Sequence, residues 1–224
     1  MHSLSPTATP TASPGRLGVF SPRRAGALAG VSGNKVGQWA RYGLIKPHVY
    51  QGRPANRYAF FDVAEAIVVH WLQEGRFSYG EIHRAIASAR EEYPDWPLLN
   101  AQIGVARDVA ADDRGLIVQP VGREYVETGR PGGQVILKPE MLDFARDMLF
   151  TGGWLADQLR LERIEVDPEK LGGAPTLRGR RWPVERVARI AADSEGRDLL
   201  VQDYGLDERD IGESVQWTDA AAAL

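Results

Sequence analysis

Cysteine is absent from all 224 residues, which removes disulfides, thiolate metal sites and cysteine nucleophiles together and suits a reducing compartment. Lysine is scarce: arginine outnumbers it 23 to 4. A GC-rich coding sequence produces that bias as readily as phosphate binding does, so position must carry the argument rather than count. Long apolar runs are also missing. The uncharged stretch Ala66-Ile-Val-Val-His-Trp-Leu72 is far shorter than the roughly 18 residues a membrane span needs, so no membrane is expected. The most informative absence is of acid. The first acidic residue is Asp62, and eight basic residues precede it: Arg16, Arg23, Arg24, Lys35, Arg41, Lys46, Arg53 and Arg57. The whole chain holds 27 basic and 30 acidic residues, which leaves 19 against 30 after that point. One end is thus built for a polyanion, because clustered cations displace counterions from phosphates and scattered mixed charge does not.

An apolar fraction of 43% and a charged fraction of 25% are ordinary for a globular protein. The length allows one or two domains with room for a small third, at about 150 residues per domain. The Ser/Thr/Pro/Ala-rich start has no basic region followed by an apolar one, so it reads as a disordered tail rather than a signal peptide, and a cytoplasmic protein is expected.

Within the basic segment, Ser21 followed by Pro22 opens a short helix that Gly30 closes. Ser32 caps a second helix running to Tyr42, with Gly43 beyond its end. On that second helix Val36, Trp39 and Ala40 fall on one side. Asn34, Gln38 and Arg41 fall on the other at i, i+4 and i+7, where Asn and Gln pair with adenine edges and Arg with guanine in a major groove. That is helix-turn-helix chemistry. A Gln51-Gly-Arg-Pro54 turn and Asn56 to Phe60 read as a two-stranded wing. The expected DNA-binding residues are therefore Arg23, Arg24, Asn34, Lys35, Gln38, Arg41, Arg53 and Arg57, with double-stranded DNA as the partner. Two further helices follow, each expected to carry a capping box, Asp62 with Glu65 and Ser78 with Glu81.

These residues resemble the N-terminal domain of MerR-like regulators: Val31-Ser32 at the turn, Gly43-Leu44-Ile45 after the recognition helix, Pro47, Arg57-Tyr58 in the wing and Asp62-Val63 beyond it. The resemblance spans about residues 17 to 92. Gly37 stands where many such relatives carry an Arg, and with Gly33 it weakens the helix by about 1 kcal/mol per glycine relative to alanine. MerR-like dimers usually extend into a long coiled-coil helix. Here Glu92-Tyr93-Pro94 and Trp96-Pro97 stop such a helix, so the expected homodimer must form elsewhere.

Residues 93–160 read as a small α+β segment: Gly115 to Gln119, Arg123 to Thr128, a Gly129-Arg-Pro-Gly-Gly133 turn, Gln134 to Lys138, then a helix from Pro139 through Phe150. The glycine turn lacks the spacing and the Lys-Ser/Thr of a phosphate-binding loop, and a plain turn is the stronger reading. This hairpin is the candidate dimer interface. His70, beside Trp71 in an apolar helix, and His83, on a capped helix, read as structural or surface residues. Asp112-Asp113 and Glu91-Glu92 are neighbours that point apart. With no nucleophile and base to assign, no catalytic residue, no metal site and no cofactor are expected, and the chain reads as a binding protein rather than an enzyme.

The last segment carries Gly172, Gly173, Pro175, Leu177, Gly179, Arg181, Pro183 and Val184, then three helical patterns over Pro183 to Ala192, Glu195 to Tyr204, and Asp207 to about Ala222. It resembles a small homeodomain-like helical domain of poorly defined function that recurs in antitoxins encoded beside PIN-domain ribonucleases. With the MerR-like half, the chain resembles a VapB-type antitoxin. That resemblance implies a PIN-domain ribonuclease toxin as partner, neutralised by direct contact, and repression of the chain's own operon. Arg178, Arg180 and Arg181 lie on a glycine-punctuated turn from which they could reach the toxin's carboxylates, with Arg180 the better probe and Arg181 weighed evenly against a role inside its own domain. Asp207, Glu208, Asp210 and Glu213 would be repelled by phosphate, so the last helix is not expected to read DNA. The alternative is a MerR-like transcription regulator whose C-terminal half senses a small molecule. The expected fold is mainly α with small β elements: residues 1–16 a disordered tail, 17–92 a winged helix-turn-helix, 93–160 a central β-hairpin or α+β segment, and 161–224 a three-helix homeodomain-like domain.

Overall fold

The computed structural model describes residues 18–101, 103–106, 115–121, 124–127, 135–136, 140–141 and 144–224. The expected N-terminal tail and the Gly129 to Gly133 turn lie outside them. Helix α1 (Pro22–Ala29) starts where Ser21 Oγ accepts the Arg24 N–H at 3.3 Å and Pro22 presets the first helical φ, and it ends at Gly30 with φ +76°. Helix α2 (Gly33–Arg41) repeats the device, with Ser32 Oγ accepting the Lys35 N–H at 3.3 Å. An antiparallel bridge from Tyr50 to Arg57 closes the wing, and one from Phe20 to Tyr58 ties it to the residues that enter α1.

Helix α3 (Phe60–Glu74) is buried at every position from Asp62 to Val69, as a helix apolar on all sides requires. It is the central rod of the molecule. Its N-terminus departs from expectation: Ala59 is the N-cap, and Asp62 accepts the Ala59 N–H at 2.7 Å from the third position. Glu65 therefore does not complete a box with Asp62; it accepts the Leu98 N–H at 2.9 Å, a partner 33 residues away that no local pattern reveals. Helix α4 (Tyr79–Arg90) does carry the expected Ser78 and Glu81 box, and it stops at Glu91 before α5 (Pro97–Asn100).

The expected central hairpin is part of a larger sheet. Strands β1 (Gly104–Ala106), β2 (Leu116–Val121), β3 (Glu124–Glu127), β4 (Val135–Ile136) and β5 (Glu140–Met141) lie in the order β4-β3-β2-β1-β5, all antiparallel. The helix expected from Pro139 begins later, as α6 (Phe144–Phe150), because residues 140–141 pair with β1 instead. Helix α7 (Gly153–Leu159) then packs on α1. A Cβ on Gly153 would stand 2.5 Å from the Leu28 carbonyl oxygen, so only glycine permits this approach.

The final segment holds the hairpin β6 (Ile164–Glu165) and β7 (Thr176–Leu177), a 3-10 turn at Leu171–Gly173, and three helices, α8 (Val184–Ile190), α9 (Ser194–Gln202) and α10 (Glu208–Ala222). The fold is mainly helical with small β elements. One buried apolar cluster runs from Phe20, Trp39 and Ile67 through Ile117 and Leu149 to Val184 and Trp217. A smaller cluster of Leu177, Val187, Ala191, Leu200, Leu206 and Ile211 belongs to the last three helices. The first cluster draws residues from all three expected segments, so they share one core.

Candidate nucleic-acid interface

The two serine caps place α2 across α1. Gly26 and Gly33 make the crossing tight: a Cβ on Gly33 would lie 2.8 Å from the Arg23 backbone nitrogen, and one on Gly26 2.5 Å from the Val31 carbonyl oxygen. Val36 and Trp39 are fully buried beneath α2, which leaves Asn34 and Arg41 exposed and Gln38 half-buried on its outer side. A Cβ on Gly37 would meet nothing within 4 Å, so that outer face is open. Arg23 and Arg53 are exposed. Arg57 is half-buried and donates to the Asn56 carbonyl at 3.1 Å.

Two of the expected residues are placed differently. The Lys35 ammonium lies 5.9 Å from the Trp39 ring centroid and 5.4 Å from that of Tyr79, turned toward the start of α4. Arg24 Nη2 lies 3.6 Å from Glu185 Oε2, on the first turn of α8.

Between residues 18 and 73 the only acids are Asp62 and Glu65, and they are 0% and 1% exposed. Neither reaches the surface. Asp62 Oδ2 accepts the His48 N–H at 2.8 Å and Asp62 Oδ1 accepts the Trp96 Nε1–H at 2.7 Å, while His48 Nδ1 lies 2.5 Å from Oδ1. His48 Nε2 is 2.9 Å from Asp95 Oδ1, which also takes Lys46 Nζ at 3.0 Å. The segment that leads into the wing is thereby bolted to α3 and to the chain after α4. Burial lowers the His48 pKa, but its hydrogen bonds and charge contacts with Asp62 and Asp95 outweigh this and raise it above the ordinary value. Lys46, followed by His48, holds the Asp95 carboxyl down at about 2. Burial pushes Glu65 up to about 8, against the Leu98 hydrogen bond and reinforced by the Asp62 charge.

This network was invisible in the sequence. Asp62 and Glu65 read as a helix start and Trp96-Pro97 as a helix stop; His48 and Asp95 carried no pattern. His70 packs edge-on against Trp154 at 4.4 Å between centroids, and burial lowers its pKa. His83 is exposed. Among the described residues no three His, Asp or Glu side chains gather as a metal site, and no helix is long and apolar enough to cross a membrane.

The three arginines of the C-terminal turn divide. Arg178 Nη2 donates to the Ile164 carbonyl at 3.4 Å. Arg180 Nη2 donates to the Gly205 carbonyl at 3.2 Å and lies 3.9 Å from Asp210 Oδ2. Arg181 is exposed, with no partner among the described residues. The expectation that Arg180 is the freer of the pair is thus reversed, because α10 folds back and brings Asp210 to it. Asp210 and Glu213 are only 6% and 7% exposed. Glu213 accepts the Arg163 backbone N–H at 2.6 Å and Arg209 Nε–H at 2.8 Å, so these acids brace the domain internally.

Residues 164–216 match a family described as a protein of unknown function, DUF433. Its glycines have a visible task here: Gly173, at φ +82°, lies so close to Phe20 that a Cβ would stand 2.3 Å from the ring. No curated protein matches the chain. Among solved structures the chain is similar to the X-ray crystal structure of Rv2018 from Mycobacterium tuberculosis, at 15% identity and a TM-score of 0.53 over 88% of this chain and 96% of that one. Such a likeness shows a shared fold across nearly the whole length of both chains.

Proposed function

We propose that the chain binds double-stranded DNA through the outer side of α2, the start of α1 and the wing. The observation that carries this reading is the inward burial of both acids in residues 18–73, which leaves the segment's exposed cations without an exposed carboxylate from the same stretch. Such cations release counterions from phosphates, while Asn34, Gln38 and Arg41 are spaced to reach base edges. Titration of the full chain against the duplex upstream of its own gene tests this. Affinity should fall steeply with salt, and absence of binding at about 50 mM salt overturns the reading.

Within that reading the chain acts as a dimeric, VapB-type antitoxin: it represses its own operon and neutralises a PIN-domain ribonuclease through residues 161–224. The MerR-like and homeodomain-like resemblances support this assignment, and the DUF433 match over residues 164–216 is compatible with it. Arg181 is the side chain available for a partner's carboxylates, because Arg178 and Arg180 are engaged within their own domain. Arg181→Glu should leave the fold intact and weaken capture of the ribonuclease encoded next to this gene by more than about tenfold, since a reversed charge at a complementary interface costs several kcal/mol. Absence of a PIN-type reading frame beside the gene favours the rival, a MerR-like regulator that senses a small molecule. Because the core is shared, the measurement uses the full chain; removal of residues 161–224 would strip Val184 and Trp217 from it.

A further inference from the structure

The DUF433-matching segment is docked beside the helix-turn-helix by three independent contacts. The Val19 N–H donates to the Gly172 carbonyl at 3.0 Å, Gly173 packs against the Phe20 ring, and Arg24 Nη2 lies 3.6 Å from Glu185 Oε2. These contacts flank the start of α1, where Arg23 is exposed. Between Lys170 and Arg189 the chain carries six basic residues and a single acid, Glu185. That one acid is the residue paired with Arg24. The ion pair therefore joins the two segments and also neutralises the only negative charge in the stretch.

We propose that Arg186 and Arg189 form a second phosphate-binding patch continuous with the helix-turn-helix, so that one duplex is gripped by both segments. The inference rests on the DNA-binding reading above and extends its footprint. Arg186 and Arg189 are both exposed, and neither has a carboxylate partner among the described residues. Arg189 follows Glu185 by four residues, which puts it on the same face of α8 about 6 Å further along the axis. Arg186 holds its guanidinium 5.4 Å from the Trp182 ring centroid, which limits its freedom before any phosphate arrives. Such cations position a duplex without reading its sequence. Of the four acids on α10, Asp210 and Glu213 are buried, and of the exposed pair Glu208 lies 3.5 Å from Arg197 on α9.

The test is the full-length double variant Arg186→Ala/Arg189→Ala, titrated on the upstream duplex and on a random duplex of equal length across salt. Each arginine–phosphate pairing that the variant removes should reduce the salt slope by about 0.9, so the drop in affinity between about 50 and 200 mM salt should shrink roughly tenfold, equally on both duplexes. Arg186→Lys/Arg189→Lys should keep the wild-type slope, and an unchanged thermal midpoint checks folding. An unchanged slope in the alanine variant, with Arg41→Ala still losing base preference, overturns this inference and leaves the DNA-binding reading standing. Failure of the unaltered chain to bind any duplex overturns both. Normal DNA binding with impaired capture of the ribonuclease assigns the patch to the protein partner and likewise overturns the inference.

Discussion

His48 Nδ1 lies 2.5 Å from Asp62 Oδ1 while Asp62 Oδ2 accepts the His48 backbone N–H at 2.8 Å, so one buried carboxylate fixes both the ring and the main chain at the root of the wing. Removing one partner from a buried, hydrogen-bonded pair of this kind costs about 3–5 kcal/mol. Asp62→Ala should lose that much stability in urea titration and weaken DNA binding through the unseated wing. The pH dependence has a definite sign. The folded-state pKa of His48 is raised above 6.5, so its contribution is complete below that value and is lost as pH rises through the folded value. Asp62→Ala should flatten this decline, and an unchanged profile would show that the pair does not govern it.

Glu65 contributes a second decline over an overlapping window. Its pKa rises from 4.5 to about 8 on folding, so between those values the unfolded chain binds fewer protons and stability falls as pH increases. Glu65→Gln keeps an acceptor for the Leu98 N–H and removes the ionisable group. Denaturation midpoints of the variant from pH 5 to about 8 should vary less than those of the unaltered chain, with the variant the more stable at the alkaline end. A variant less stable throughout would show that the carboxyl itself is needed.

Two glycines of α2 should respond to alanine with opposite signs. Gly37 has open space around it and no positive φ, so Gly37→Ala should add up to about 1 kcal/mol of stability. At Gly33 the new Cβ would lie 2.8 Å from the Arg23 nitrogen, so Gly33→Ala should cost about 1–3 kcal/mol by forcing α1 and α2 apart. Thermal melts of the two variants settle both signs.

Arg41 is exposed at the end of α2 on the face it shares with Asn34 and Gln38. Arg41→Ala should cost about 1–3 kcal/mol on the upstream duplex and relax preference at one base pair. Equal losses on specific and random DNA, read by gel shift, would make Arg41 a phosphate ligand instead.

What the sequence by itself determined is what short-range chemistry controls. Ser21 and Ser32 cap helices because their hydroxyls reach an N–H three residues on, and Gly30 and Gly43 follow because only a residue at ease with positive φ ends a helix that way. The basic N-terminal run and the outward spacing of Asn34, Gln38 and Arg41 are likewise properties of one segment read alone. Only the tertiary structure decided where the acids went. Asp62 and Glu65 satisfied a local capping rule in the sequence, yet in the fold Asp62 caps Ala59 while also holding His48 and Trp96, and Glu65 goes to Leu98. Strand β5 escaped notice because two residues hold no period of their own and depend on β1 for pairing. Arg180 and Arg181 are adjacent and chemically identical, and the return of α10 alone brings Asp210 to one and leaves the other in solvent. In each case the partner is distant along the chain, and a hydrogen bond or ion pair between distant residues leaves no mark until packing has brought them together.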